Sequence, residues 1–204
     1  LTGLTEHVRL GLLVSGMTYR HPAVFAAEAI TIDHASGGRL ELSLGAAWFD
    51  AEHAALGIPF PSTGERFDLL EDSLEIITRL CTGERVSYAG KVVSLKDAQV
   101  LPRPVQTPHP PIVIGGAGEK RTLRTVARFA QHWNFVGGPA EELTRKLDVL
   151  IPVSRLLHKL ADEDAPLIDP RGAAVIAPIL GVAPVLDAPP AGVAIQNEEK
   201  RRAG

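Results

Sequence analysis

The sequence predicts an α/β fold with a parallel sheet of the (β/α)8 TIM-barrel type. Short apolar runs of strand character alternate along the chain with stretches of helical period, which is the signature of βαβ units. Four such βα steps follow one another, with a single excursion between the second and the third. With 204 residues, 45% hydrophobic and 22% charged, the chain is long enough to bury a full core, and one main domain is expected.

The first two strands are predicted on either side of one helix. Residues 8–14 (VRLGLLV) form an apolar run that is typical of a central strand. Pro22 is well placed as the first residue of a helix, which continues to His34 and ends at Gly37 and Gly38. Residues 39–45 (RLELSLG) alternate leucine with polar residues and are predicted to form the second strand.

A long helix and an excursion from the sheet follow. The apolar positions of residues 63–81 are spaced by three and four, which predicts a strong helix closed by Thr82 and Gly83. Residues 86–100 form short alternating segments and indicate a β-hairpin, within an excursion that spans about 84–110. A cluster of prolines between 102 and 111 returns the chain in extended form.

The glycine-rich stretch of the third βα step is a candidate anion site. Residues 112–114 predict a buried strand, residues 115–118 (GGAG) a turn, and the following residues an amphipathic helix in whose first turn Lys120 and Arg121 lie. The N–H groups at a helix N-terminus attract anions, and glycines allow close approach. The pattern therefore indicates a phosphate site, although a tight βα turn with solvated charges explains it equally well.

The end of the chain differs from the rest. A fourth strand is predicted over residues 132–136 and a helix over residues 141–150. After residue 150 there is no aromatic residue, and seven of the chain's 16 prolines occur there. We therefore divide the chain into a folded part, 1–150, and an Ala/Pro-rich tail, 151–204, which we expect to be partly disordered.

Composition excludes several classes of partner. The net charge of −3 and the lack of a basic block argue against nucleic acid, and no apolar run is long enough to cross a membrane. The single cysteine, Cys81, excludes an intramolecular disulfide and suits a reducing compartment, so we expect a cytoplasmic protein. Its partner is expected to be a small-molecule substrate, and a homodimer is one assembly open to it.

Four segments together carry a resemblance to a known family. They are VRLGLLVSGMTYRHP, GGRLELSLGAAWFDAEHAALGIPFP, GERFDLLEDSLEIITRL and HPPIVIGGAGEKRTLRTVARFAQHWN. In order and spacing they resemble the luciferase-like monooxygenase family, and most of all its branch of oxidoreductases that use the deazaflavin coenzyme F420. The resemblance covers roughly residues 5–150. It implies an incomplete TIM barrel of the bacterial luciferase-like type, with a flavin or deazaflavin at the C-terminal ends of the strands.

In the frame of that family the chain starts just before the third barrel strand, and it departs from the family after residue 150. We therefore expect a fragment that lacks the first two strands, as a truncated or shifted reading frame would produce. In-frame barrel sequence on both flanks of the source DNA would support this expectation, and an intact native start and stop would contradict it.

The resemblance assigns cofactor-binding roles to two further groups of residues besides the turn. It places the phosphate on Gly115, Gly116, Ala117, Gly118, Lys120 and Arg121. It places the ring against Leu13, Val14, Ser15 and Gly16, where F420-dependent members often have a non-prolyl cis peptide bond, here Leu13–Val14. An ordinary strand is the alternative there. Thr18 is expected to donate to the ring or its sugar-like chain, or else to face solvent.

The end of the second predicted strand completes the implied pocket. Ala46 and Ala47 are expected to approach the ring or the ribityl chain by their backbone, although relatives commonly carry glycine at the position of Ala47. Trp48 is expected to form a wall of the pocket, with core packing as the alternative. Glu52 is a candidate polar contact.

Several titratable residues are candidates for metal ligands or catalytic groups, and their positions in the sequence argue against both roles. Asp50, Glu52 and His53 have the spacing of one exposed helical turn, so we expect no metal site there. Four further histidines, His21, His34, His109 and His132, are expected to be structural or solvated. The catalytic acid or base stays unassigned.

The function implied by the resemblance is hydride transfer between coenzyme F420 and a small organic substrate. Three alternatives remain open. An FMN-dependent luciferase-like monooxygenase would use the same phosphate turn, and a truncated, non-catalytic remnant would still bind the cofactor. Another phosphate-binding TIM-barrel enzyme would bind a sugar phosphate without any flavin.

Overall fold

The structure is a computed structural model that describes residues 1–160 of the chain and side chains as far as residue 156. The predicted tail therefore lies almost wholly outside the described residues. Within them, the elements occur in the order β1, a 3-10 turn, α1, β2, α2, α3, β3, β4, β5, α4, β6 and α5.

A four-stranded parallel sheet organises the described part of the chain. Its strands are β1 (Ser15–Gly16), β2 (Leu42–Gly45), β5 (Ile112–Gly115) and β6 (His132–Asn134), in that spatial order. All three pairings are parallel. The predicted α/β fold with βα steps is thereby confirmed, as an incomplete barrel sheet of four neighbouring strands.

Helices α1 (Pro22–Ser36) and α3 (Thr63–Leu80) pack against each other over the sheet. Pro22 begins α1 and Gly37, at φ +65°, ends it, because glycine adopts the left-handed conformation at a helix C-terminus without steric cost. Ser62 caps α3 in a capping box with Glu65: each side chain accepts from the other residue's backbone N–H. These boundaries agree with the prediction to within two residues.

The hairpin β3 (Val86–Ala89) and β4 (Ser94–Ala98) is antiparallel and separate from the main sheet, as predicted. Asp72 of α3 fixes it. The Asp72 carboxylate accepts the N–H groups of Val92 and Val93 and the hydroxyl of Tyr88, at 2.7, 3.1 and 2.9 Å. Gly90 lies against Asp72, where a Cβ would be 2.4 Å from Oδ2.

The last two βα steps consist of β5, α4 (Thr122–Phe129), β6 and α5 (Ala140–Leu160), with α4 packed against α5. Glu119 ties the turn before α4 to α5, because its carboxylate accepts from Arg145 and Lys146 at 2.7 and 2.9 Å. The core lies between the sheet and the helices. Its largest fully buried side chains include Trp133, Met17, Leu44, Leu70, Ile77 and Ile114.

Three predicted boundaries were wrong. Residues 8–14 do not form a regular strand: Leu10 alone bridges to Leu40, and the strand itself is Ser15–Gly16. This segment has only β2 beside it, which leaves Val8, Leu12 and Leu13 more than half exposed. Helix α5 continues past Leu150 to Leu160 through Pro152, since its apolar stripe extends to Val153. Lys120 and Arg121 precede α4 instead of lying in its first turn.

Candidate cofactor site

A row of glycines crosses the sheet at its C-terminal edge. Gly16 pairs with Gly45, and Gly115 pairs with Asn134. Because Leu44 pairs with Ile114, Gly45 and Gly115 are neighbours as well. Three adjacent strands thus end without side chains at the edge where parallel α/β proteins bind their ligands.

The side chain of Val14 lies over this row. Its Cγ2 atom is 2.8 Å from the position that a Cβ would take on Gly45, and 2.8 Å from the corresponding position on Gly115. An alanine at either glycine would therefore collide with Val14. The peptide bond between Leu13 and Val14 is cis, as the resemblance implied, and Leu13 is 65% exposed beside it.

The turn after β5 presents unpaired backbone donors. Gly116 has φ +119°, donates its N–H to the Asn134 carbonyl at 3.1 Å, and accepts the Trp133 indole N–H at 2.7 Å. Thr122 fills the inside of the turn, 3.0 Å from where a Cβ on Gly118 would lie. Among the described residues, the N–H groups of residues 117–121 find no hydrogen-bond partner. Such donors beside a helix N-terminus suit an anion.

The two basic residues of this turn differ in their surroundings. Lys120 is exposed and forms no ion pair with any residue that the structure describes. The Arg121 guanidinium lies 2.7 Å from Asp68 and 2.8 Å from Glu71, both on α3. Hydrogen bonds from Arg121 and Lys91 lower the pKa of Asp68. The side chain of Arg121 is therefore already paired within the protein, and whether either cation contacts a phosphate stays a prediction.

The end of β2 leads into an exposed aromatic pair. Ala47 has φ +61°, a left-handed conformation that favours glycine. Trp48 is 81% exposed and stacks on Phe49 with ring centroids 5.2 Å apart. The alternative of core packing for Trp48 is wrong. Its exposed face is available to a ligand at the C-terminal edge of the sheet.

A buried histidine links the turn after β1 to the helix after β2. His53 of α2 (Asp50–Leu56) is fully buried. Its Nε2 atom is 2.7 Å from Thr18 Oγ1, and its Nδ1 atom is 2.7 Å from the Phe49 carbonyl oxygen. Thr18 belongs to the 3-10 turn Met17–Tyr19 and is half-buried, so the alternative of a solvent-facing residue is wrong.

Tyr19 and Glu52 form a second hydrogen bond beside His53. The Tyr19 hydroxyl donates to Glu52, and burial together with this bond and the Glu52 charge raises the pKa of Tyr19 to about 12. Glu52 thus has an intramolecular partner. The Asp50 carboxylate accepts the N–H of the next residue, Ala51, at 2.8 Å through Oδ1. Within residues 1–156, no three His, Cys, Asp or Glu side chains come together as metal ligands would.

The other predicted histidines lie away from the glycine row. His21 caps α1, where Nδ1 accepts the Ala23 N–H at 3.2 Å, and His34 bonds to the Arg103 carbonyl. His132 lies at the start of β6, with Nδ1 3.4 Å from Glu41. Cys81 is buried, and burial raises the pKa of its thiol to about 12. None of the described helices is long and apolar enough to cross a membrane.

The family model described as luciferase-like monooxygenase matches residues 1–151, which include every residue of this site. The chain belongs to the luciferase-like monooxygenase family. The resemblance found in the sequence is thereby confirmed, and so is the expected partial barrel.

The relatives of this luciferase-like chain include enzymes with two different cofactors. The F420-dependent glucose-6-phosphate dehydrogenase of Microbacterium testaceum is 38% identical over 145 residues, 70% of this chain and 42% of the relative. The FMNH2-dependent dimethylsulfone monooxygenase of Pseudomonas putida is 31% identical over 121 residues, 59% of this chain and 33% of the relative. This chain thus spans less than half the length of either enzyme.

A solved structure supports the fold of this luciferase-like chain. The coenzyme F420-dependent tetrahydromethanopterin reductase of Methanopyrus kandleri superposes with a TM-score of 0.68 at 23% identity. The match covers 76% of this chain and 47% of the reductase. It establishes the fold, again as about half of a larger structure.

The sequence did not single out His53 as part of this luciferase-like site. One signal was present: His53 lies four residues after Phe49, the spacing at which a helical side chain reaches a preceding carbonyl. The partner Thr18 lies 35 positions away in sequence, and only the fold brings the two together.

Proposed function

We propose that this chain holds the cofactor of an oxidoreductase that transfers a hydride between coenzyme F420 and a small organic substrate. The observation that carries the proposal is the glycine row Gly16, Gly45 and Gly115, with Val14 over it. Beside it lie the N–H groups of residues 117–121, which have no hydrogen-bond partner within the described part of the chain. Gly45 and Gly115 leave room for the Val14 side chain at the strand ends, which would present an apolar surface to a flat ring, and a phosphate needs such donors.

The residues present fit a flavin-type cofactor. The N–H groups of residues 117–121 and the ammonium group of Lys120 would hold its phosphate, and Arg121 would contribute only its backbone, since its side chain pairs with α3. Leu13, Val14, Ser15 and the backbone of residues 46 and 47 would support the ring. The exposed ring of Trp48 would shield it from water on the open side.

The cofactor supplies the site that gives or accepts the hydride, and the protein orients it and excludes water. Leu13 and Trp48, 65% and 81% exposed, offer apolar surface that a bound ring would cover. Covering such surface is favourable, at about 25 cal/mol for each Å² removed from water. The site is thus suited to bind an aromatic ring whose phosphate is fixed at the turn.

The choice of F420 over FMN rests on sequence similarity. Identity to the F420-dependent relative is 38% over 145 residues, compared with 31% over 121 residues for the FMNH2-dependent one. The FMNH2-dependent relative makes an FMN-dependent monooxygenase the second candidate. Both cofactors have a ring, a ribityl chain and a phosphate, so the turn after β5 serves either.

Fluorescence titration of the purified chain with coenzyme F420 and, separately, with FMN tests the proposal. We expect saturable binding of F420 in the micromolar range and at least tenfold weaker binding of FMN. Tighter binding of FMN would transfer the function to the monooxygenase alternative. Binding of neither cofactor by a chain that circular dichroism shows to be folded would contradict the proposal.

Hydride transfer is tested separately, because this chain spans less than half of its relatives. When F420 is bound, a panel of small alcohols and sugar phosphates should bleach its oxidised absorbance if the chain is catalytically complete. Binding without bleaching by any substrate would identify the chain as the non-catalytic, cofactor-binding alternative.

A further inference from the structure

The hydrogen bonds of His53 have a fixed direction. A carbonyl oxygen only accepts, so the Nδ1 atom that lies 2.7 Å from the Phe49 carbonyl carries the proton. In a neutral imidazole the other nitrogen, Nε2, then has a lone pair and no proton. Thr18 Oγ1, 2.7 Å from Nε2, must therefore be the donor of that bond.

The surroundings of His53 hold the ring in this orientation. The Tyr19 ring lies 4.4 Å from the imidazole by centroid, and the Phe60 ring lies 4.6 Å from it. The Tyr19 hydroxyl is 3.2 Å from Nδ1, but its proton is donated to Glu52 and not to Nδ1, so Nδ1 can carry the proton that bonds to the Phe49 carbonyl. The Arg66 guanidinium lies over the Phe60 ring, 3.9 Å from its centroid.

The consequence falls on Thr18. Its hydroxyl has one proton, which it donates in the hydrogen bond to His53, so the oxygen can only accept from any further partner. Thr18 lies two residues after Gly16, the first glycine of the row under the proposed cofactor. The bond to His53 leaves Thr18 able to accept from a cofactor group, whereas the expectation from the sequence is that Thr18 donates.

We propose that His53 is a positioning residue that makes Thr18 a dedicated hydrogen-bond acceptor for an N–H or O–H group of the bound cofactor. This inference rests on the proposed function and adds to it the direction of one hydrogen bond, in which the cofactor donates and Thr18 accepts. A flavin or deazaflavin offers such donors on its ring and its ribityl chain. Because His53 also bonds to Phe49, it couples the turn after β1 to the backbone beside Trp48.

Four single variants test this contact in the full chain, with the cofactor that the wild-type chain binds more tightly as the probe. Thr18→Val removes the hydroxyl and keeps the shape, while Thr18→Ser keeps the hydroxyl. His53→Phe removes the acceptor for the Thr18 proton, and His53→Gln retains an oxygen that accepts it. Thr31→Val is the matched control, because the Thr31 hydroxyl is exposed and donates to the Ala27 carbonyl of α1.

We expect Thr18→Val and His53→Phe each to weaken binding by about tenfold, the value of one hydrogen bond. Thr18→Ser, His53→Gln and Thr31→Val should stay within about threefold of wild type. The double variant Thr18→Val/His53→Phe should lose no more than either single variant, because both remove the same contact. The melting temperature of each variant, without ligand, separates a loss of folding from a loss of binding.

Wild-type affinity for Thr18→Val would overturn the inference and leave the proposed function intact. Additive losses in the double variant would overturn it as well, since His53 would then act independently of Thr18. If His53→Phe and His53→Gln fail to fold, the comparison of Thr18→Val with Thr18→Ser decides alone. Failure of the wild-type chain to bind either cofactor would overturn the proposed function itself, and this inference with it.

Discussion

At the scale of single residues, Ala47 combines a backbone conformation that favours glycine with a side chain that glycine lacks. Its φ of +61° is left-handed, a conformation that costs an L-residue about 1–2 kcal/mol and glycine almost nothing. The methyl group of Ala47 also lies 2.9 Å from where a Cβ on Gly16 would be, so it occupies space at the glycine row. The methyl group of Ala47 thus narrows the space beside Gly16.

Ala47→Gly is expected to raise the free energy of unfolding by about 1 kcal/mol, the left-handed cost minus the greater flexibility of glycine when unfolded. Urea denaturation measures this change, with one m-value fitted to the wild-type chain and the variant. The matched control is Ala46→Gly, at a position without positive φ, which should lower the free energy of unfolding by about 0.5–1 kcal/mol. Equal losses for both variants would contradict the assigned strain.

Sequence patterns located the residues of the site more reliably than their contacts. The glycines of the turn and the Leu13–Val14 bond could be found, since they belong to contiguous segments of a known family. The roles of Thr18 and Arg121 could not, because their partners His53, Asp68 and Glu71 come from other helices. Whether each predicted residue contacts a cofactor stays a prediction.

At the scale of elements, Asp72 fastens the hairpin β3–β4 to α3. Burial acts to raise the pKa of Asp72, but the hydrogen bonds from Val92, Val93 and Tyr88 outweigh it, and the pKa lies below its ordinary value. A two-stranded hairpin is only marginally stable by itself, and these hydrogen bonds supply contacts that a third strand would otherwise have to provide. The Asp72 carboxylate thus helps to hold the excursion, beside the ion pair of Lys91 with Asp68 and the packing of Val93 against the core.

Asp72→Ala is expected to lower the free energy of unfolding by about 2–3 kcal/mol, because it leaves hydrogen-bond donors without their acceptor. Denaturation at neutral pH measures this loss. Arg85→Ala on the same hairpin is the control: its ion pair with Asp97 is about 65% exposed on both sides and should contribute less than about 0.5 kcal/mol.

The difference in the free energy of unfolding between the wild-type chain and Asp72→Ala should depend on pH, which gives a second check. A carboxyl whose pKa is lowered on folding contributes stability above its unfolded pKa of about 3.9, and the contribution is lost as pH falls toward the folded pKa. The gap between wild type and Asp72→Ala should therefore shrink below about pH 4. A gap that stays constant into acid, or a loss no larger than that of Arg85→Ala, would contradict this role.

The elements themselves could largely be predicted from sequence. Helices α1 and α3 have strong boundary signals, Pro22 and the Ser62–Glu65 capping box, and their predicted bounds agree with the structure. The strand over residues 8–14 could not be judged, because strand formation there depends on neighbours in space. Helix α5 passes its predicted end at residue 150 and continues through Pro152, since packing of the apolar stripe outweighs one lost hydrogen bond.

At the scale of the whole molecule, the account depends on where the phosphate of the cofactor binds. The N–H groups of residues 117–121 and the ammonium group of Lys120, which have no partner among the residues that the structure describes, indicate the turn after β5. The membership in the luciferase-like family and the parallel sheet could be predicted from sequence, because several segments carry them in order. The cofactor's identity could not, since F420 and FMN share the part that the turn would bind.

The most direct test is the ratio of dissociation constants for FMN and riboflavin, and for F420 and its dephosphorylated form, measured by fluorescence on the wild-type chain and on Lys120→Ala. Charge-assisted hydrogen bonds to the phosphate should make the phosphorylated form of the preferred cofactor bind about 10–100-fold more tightly. Lys120→Ala should reduce that ratio several-fold and leave the phosphate-free ligand unaffected, whereas the control Lys96→Ala, on the exposed hairpin, should change neither. Equal affinity with and without phosphate in the wild-type chain would contradict the proposed site.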